Sequence, residues 1–124
     1  MKGKQKILIV EDEESLAQMY KTKFEKEGYL VLVASDGMEG LELAGREKPD
    51  IILLDIILPK KDGFMVLNEL KSDKKTSKMK VIMLTNLGQD EDIAKGKKIG
   101  ALDYFVKASL TPAQLVDKVR GYLK

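Results

Sequence analysis

The sequence predicts an α/β fold: a five-stranded parallel sheet covered by helices on both faces. Three observations lead there. Short apolar runs rich in β-branched residues recur along the chain, and segments of helical length separate them. The runs show no polar alternation, as strands buried on both faces require. The length of 124 residues suits one domain with a single sizeable core. Residues 1–124 are therefore expected to form a single domain, with no linker, repeat or low-complexity stretch inside it.

The first strand is Ile7-Leu8-Ile9-Val10, too short and too β-branched for a buried helix. After the acidic run Glu11 to Glu14, residues Leu16, Met19, Tyr20 and Phe24 recur at helical spacing, and Gly28 offers a stop. Tyr29 to Ala34 reads as the second strand. A helix from about Met38 to Glu47 follows, weakened by Gly40 and Gly45. Ile51 to Leu54 is the third strand and ends at Asp55. A turn signal, Pro59 to Gly63, leads to a helix marked by Phe64, Val66, Leu67 and Leu70. Val81 to Leu84 is the fourth strand, ending at Thr85. The polar segment Asp90 to Lys98 begins acidic and ends basic, which complements a helix dipole, though Gly96 weakens it. Tyr104-Phe105-Val106 is the last strand and ends at Lys107. Thr111 and Pro112 form a cap and first-turn pair for a final helix with Leu115, Val116 and Val119 inward.

Composition removes several classes of function. With neither cysteine nor histidine, the chain has no disulfide, no thiolate metal site, no Ser/His/Asp triad and no histidine base. A net charge of +2 argues against a dedicated nucleic-acid binder, and no direct nucleic-acid binding is expected of this domain. No apolar run approaches a membrane span and no signal peptide is visible, so no membrane association is expected and the cytoplasm is the expected location.

In an open parallel sheet, ligands bind at the carboxyl ends of the strands, where strand order reverses. Here four strands end in polar residues: Glu11 and Asp12 after the first, Asp55 after the third, Thr85 after the fourth, Lys107 after the last. Three crowded carboxylates repel one another, and a hard divalent cation would relieve that. Magnesium fits, since it takes oxygen ligands and pairs naturally with phosphate. Asp55 could then act as a nucleophile forming an acyl phosphate, with Lys107 and the Thr85 hydroxyl on the phosphoryl oxygens. Each residue alone has a plainer reading. The acids could cap a helix, Asp55 and Thr85 could be turn residues, and Lys107 could reach for solvent. Four such coincidences at one sheet edge are a poorer account than one site.

These features resemble the receiver domain of bacterial response regulators. The resemblance rests on Ile7 to Asp12, on Asp55-Ile56-Ile57-Leu58-Pro59 with Asp62-Gly63, on Leu84-Thr85-Asn86, and on Gly100 to Lys107. It implies a doubly wound, flavodoxin-like (βα)5 fold with strand order 2-1-3-4-5, a fold that the open-sheet rule itself takes as an example. It also implies that Asp55 takes phosphate from a phosphohistidine on a sensor histidine kinase or phosphotransfer protein. Asp12 and Asp55 would bind Mg2+ directly, Glu11 through water, and the Ile57 carbonyl would add a ligand. Thr85 and Tyr104 would be the switch residues, and the last two helices with the last strand would present an altered surface to a downstream protein. The domain would be a signalling module rather than an enzyme, catalysing its own phosphorylation and dephosphorylation, and either monomeric or dimeric on phosphorylation.

Three departures from the family pattern matter. Glu11 replaces the more usual aspartate. Ile57 and Leu87 stand at positions that are often polar and affect the lifetime of the phosphoryl group. Ala108 follows Lys107 where the family usually has proline, commonly with a cis bond. A non-proline cis bond costs roughly 3–4 kcal/mol, so a trans bond is expected here, with residues 108–110 displaced from the usual course. Among rival readings, a flavin protein would need a phosphate-cradling loop after the first strand, where Glu11 to Glu14 stand instead. An aspartyl-phosphate hydrolase would want an acid at Ile57. A degenerate receiver acting as a phosphorylation-independent binding module remains the alternative.

Overall fold

A computed structural model describes residues 3–124. It contains strands β1 (Lys6–Val10), β2 (Leu30–Ala34), β3 (Ile51–Leu54), β4 (Lys80–Thr85) and β5 (Asp103–Val106). Between and after them lie helices α1 (Glu14–Lys26), α2 (Gly37–Glu47), α3 (Gly63–Ser72), α4 (Asp90–Ile99) and α5 (Pro112–Leu123). A short 3-10 turn, Lys107–Ser109, links β5 to α5. The strands pair in parallel in the order β2-β1-β3-β4-β5, as expected.

The strand runs are apolar throughout because each face of the sheet carries its own core. Ile7, Ile9, Leu53 and Ile82 point to α1 and α5, where Phe24 and Val119 are fully buried. Leu8, Val10, Leu54 and Met83 point to the opposite side, against Leu67 and Leu70 of α3. Burying a side chain the size of Phe24 contributes about 1.5–3 kcal/mol. On α1 the inward positions are Ala17, Tyr20 and Phe24, while Leu16 and Met19 are only half-buried.

Local signals set most boundaries. Asp36 caps α2 by accepting from the Glu39 amide at 2.8 Å, and Asp62 caps α3 by accepting from the Met65 amide at 3.0 Å. Thr111 and Gln114 form a reciprocal capping box at α5, with Pro112 in the first turn. Tyr29 falls outside β2 because its amide bonds to the Phe24 carbonyl at 3.2 Å, which makes it part of the turn that ends α1. No helix among the described residues is long and apolar enough to cross a membrane.

The topology decides where chemistry collects. The chain leaves β1 for β2 on one side and then crosses to β3 on the other, so strand order reverses between β1 and β3. Val10 pairs in register with Leu54, so the next residues, Glu11 and Asp55, emerge side by side.

Candidate functional site

Glu11, Asp55 and Thr85 are buried at the carboxyl edge of the sheet, and Asp12 is exposed at its rim. Carboxylate oxygens of Glu11, Asp12 and Asp55 lie within 4.8 Å of one another, the only such acidic group among the described residues. Lys107 reaches into this cluster. Its Nζ donates to Asp55 Oδ2 at 2.7 Å and also to Glu11 Oε1. The other oxygens are taken by backbone amides: Asp55 Oδ1 accepts from Ile56 at 2.7 Å, and Glu11 Oε2 from Glu13 at 3.0 Å.

The electrostatics follow from this packing. Burial pushes the Glu11 carboxyl above its ordinary range, and the hydrogen bond from Lys107 only partly offsets it. Burial would lower the Lys107 ammonium, but the hydrogen bonds to Asp55 and Glu11 outweigh it and raise its pKa. The ammonium therefore stays charged between the two acids.

The loop after β3 is held close beneath the site. The Gly63 amide donates to the Ile56 carbonyl at 2.8 Å, and a Cβ on Gly63 would collide with the Asp55 carbonyl oxygen. Only glycine fits there, which explains the turn signal that includes it. Ile57 lies in this loop and is 62% exposed.

Thr85 and Tyr104 meet at one residue. The Thr85 hydroxyl accepts from the Leu87 amide at 3.4 Å, and the Tyr104 phenol donates to the Leu87 carbonyl. Tyr104 is buried, and burial together with the negative charges of Asp92 and Asp55 pushes its phenol up to about 12.

The segment after Lys107 contains no cis peptide bond, so the Lys107–Ala108 bond is trans, as the missing proline predicts. The turn closes as 3-10, with the Leu110 amide on the Lys107 carbonyl at 3.3 Å. Asn86 Oδ1 accepts from the Ala108 amide at 3.1 Å and ties this turn to the end of β4. The sequence marked Asn86 only as part of a motif and Leu87 only for its side chain, because no periodicity marks a backbone carbonyl or the contact of a single loop amide.

Ile57 apart, the sequence-predicted residues thus fall into two groups. Glu11, Asp12, Asp55 and Lys107 form one cluster. Thr85 and Tyr104 join through Leu87 beside it.

Comparison with known proteins agrees with this fold. The family described as "Response regulator receiver domain" matches residues 7–120. The protein of Guillardia theta described as "Probable transcriptional regulator ycf27" is 41% identical over 124 residues, covering 100% of this chain and 47% of its own. The "DNA-binding dual master transcriptional regulator RpaA" of Synechocystis is 39% identical, covering 96% of this chain and 49% of its own. This chain therefore spans about half the length of these curated relatives. Among solved structures, the BeF3-activated N-terminal receiver domain of Klebsiella pneumoniae RstA superposes with a TM-score of 0.89 at 32% identity, covering 97% of this chain and 99% of that one. With a family match over nearly all of its length, this chain belongs to the response regulator receiver domains, the signalling modules that accept phosphate in two-component systems.

Proposed function

We propose that Asp55 is the phosphoacceptor and that Glu11, Asp12 and Asp55, with the Ile57 carbonyl, hold Mg2+. The observation that carries this reading is the ammonium of Lys107 set between Asp55 and Glu11 in a buried acidic cluster. An all-oxygen donor set with no nitrogen or sulfur ligand suits a hard cation. When bound, Mg2+ would neutralise phosphoryl oxygens and offset the mutual repulsion of the acids.

In the transfer, an Asp55 carboxylate oxygen forms the new O–P bond as the N–P bond of a donor phosphohistidine breaks, and the imidazole leaves. The donor is a sensor histidine kinase or phosphotransfer protein. Lys107 turns from the free carboxylate to a phosphoryl oxygen, and the Thr85 hydroxyl turns to another. That rotation releases the Leu87 amide. Tyr104 hangs from the carbonyl of the same residue, so the change passes to β5, α4 and α5, where a downstream protein or a second receiver docks. Hydrolysis of the acyl phosphate resets the switch. This activity belongs in the cytoplasm with residues 1–124 acting as one unit, and the partners on this surface are proteins.

Incubation with a small acyl phosphate and Mg2+ should add one phosphoryl group, detected by intact mass. Asp55→Asn should abolish it. Full labelling of that variant would remove Asp55 from its role. A parent protein that neither takes phosphate nor responds to beryllofluoride would be a phosphorylation-independent binding module.

A further inference from the structure

The near-neutral total charge conceals a separation. The acidic cluster occupies the carboxyl edge of the sheet. At the opposite edge, where the strands begin, an open cleft of about 460 Å³ is lined by Lys48, Lys74, Lys75, Lys78 and Lys80. All five lysines are exposed. The one acid in the lining is Asp50, whose Oδ2 already accepts from the Lys6 amide at 2.7 Å. Among the described residues, none of the five lysines has an ion-pair partner.

The plain explanation is that these lysines neutralise helix carboxyl ends. The hydrogen bonding makes it insufficient. At the end of α3, the Thr76 hydroxyl, buried, donates to the Leu70 carbonyl at 2.6 Å. Lys71 donates to the carbonyls of Ser77 and Met79 at 3.1 and 2.7 Å. Thr76 and Lys71 thus tie down the loop that follows α3, and Lys74, Lys75 and Lys78 are left over on a rigid support. Lys80 is partly engaged, by the Tyr122 carbonyl. Lys48 takes the left-handed conformation at the end of α2 (φ 47°, ψ 61°), a place that usually goes to glycine or asparagine.

We infer that this lysine floor binds the phosphate backbone of duplex nucleic acid without reading its sequence. Lysines act as point charges for phosphate, whereas bidentate recognition of a discrete phosphorylated side chain calls for arginine forks. The cleft contains no arginine and no aromatic ring. The missing rings argue against stacking of single-stranded bases. Protein interfaces are depleted of lysine and enriched in aromatic residues, so an acidic protein fits less well. The net-charge argument against nucleic acid averaged over both edges of the sheet and so missed this face.

Binding of a fluorescein-labelled random-sequence duplex, read by anisotropy at low salt, tests the inference. Four free lysines neutralising four phosphates give a slope of log K against log salt of about −3 to −4, so a fourfold rise in salt weakens binding roughly a hundredfold. The variant Lys74→Glu, Lys75→Glu, Lys78→Glu should lose the binding while keeping its circular dichroism and its phosphorylation at the far edge. The same charge change at Lys21, Lys95 and Lys118 should leave most of the affinity. Absence of duplex binding by the parent, or equal loss in both triple variants, overturns the inference. So does tighter binding to polyglutamate or to phosphatidylserine vesicles than to the duplex.

Discussion

Gly96 of α4 lies against the ring of Tyr104, so that a Cβ at Gly96 would stand 3.2 Å from Tyr104 Cδ2 and 3.4 Å from Met83 Cγ. In the sequence this glycine looked like a weakness in a polar helix. In the fold it is the seat of the residue that hangs from Leu87. Gly96→Ala would gain roughly 1 kcal/mol of helix propensity and at the same time press on the ring. The two effects separate in a double-mutant cycle with Tyr104→Leu, followed by urea denaturation. Alanine should stabilise the Tyr104→Leu background more than the parent, with a coupling of about 0.5–3 kcal/mol. Additive effects would show that the contact is slack.

Lys107 is the one cation among the buried acids, so its removal should matter most when no divalent ion is present. Lys107→Ala leaves Glu11 and Asp55 buried without their shared donor. The expected cost is about 1–3 kcal/mol of stability in chelator. Magnesium at ten times its dissociation constant should stabilise the parent by roughly 1.4 kcal/mol and restore a larger share in the lysine variant. Asp12→Ala should lose most of the response. Thermal melts with and without the ion decide it, and a parent indifferent to magnesium would contradict the proposed site.

The strands were legible because burial on both sides leaves no polar alternation, and the site because strand ends are where an open sheet exposes its polar residues. What stayed hidden was carried by backbone and by distance along the chain. The bond from Lys107 to Glu11 spans 96 residues. Thr85 and Tyr104 meet through an amide and a carbonyl of Leu87, groups that every residue has. Gly96 could not be told from a helix breaker until its neighbour was known. The lysine floor is drawn from two turns and a strand start, and a net charge cannot show such a gathering.

Tyr104 should be a late phenol to ionise. Its pKa is pushed from 10.0 up to about 12, first by burial and then by Asp92 and Asp55. The folded state thus holds this proton more tightly than the unfolded state. The stability it contributes is complete below about pH 10 and is lost as the pH rises through about 12. Absorbance titration of the tyrosinates should show a component near 12 that is missing in Tyr104→Phe. A missing component centred near 10 would mean that the ring is more open to water than its 8% exposure indicates.

The lifetime of the phosphoryl group is expected to be long, and Ile57 and Leu87 are the reason. Hydrolysis needs a water aligned with the phosphorus, and a residue that orients it contributes much of the catalysis. The Ile57 side chain stands out from the loop after Asp55, and Leu87 is half-buried beyond Thr85. Neither side chain can donate or accept a hydrogen bond, so neither can hold that water. Replacing both, as Ile57→Asn with Leu87→Glu, supplies an amide and a carboxylate. The hydrogen bonds of Leu87 to Thr85 and Tyr104 run through its backbone, so the substitution leaves those contacts in place. Dephosphorylation, followed by intact mass after removal of the donor, should speed up about ten- to hundredfold, at or below the lower end of what a positioned base contributes. An unchanged rate in the double variant would show that access or strain at the acyl phosphate, rather than water positioning, governs its decay.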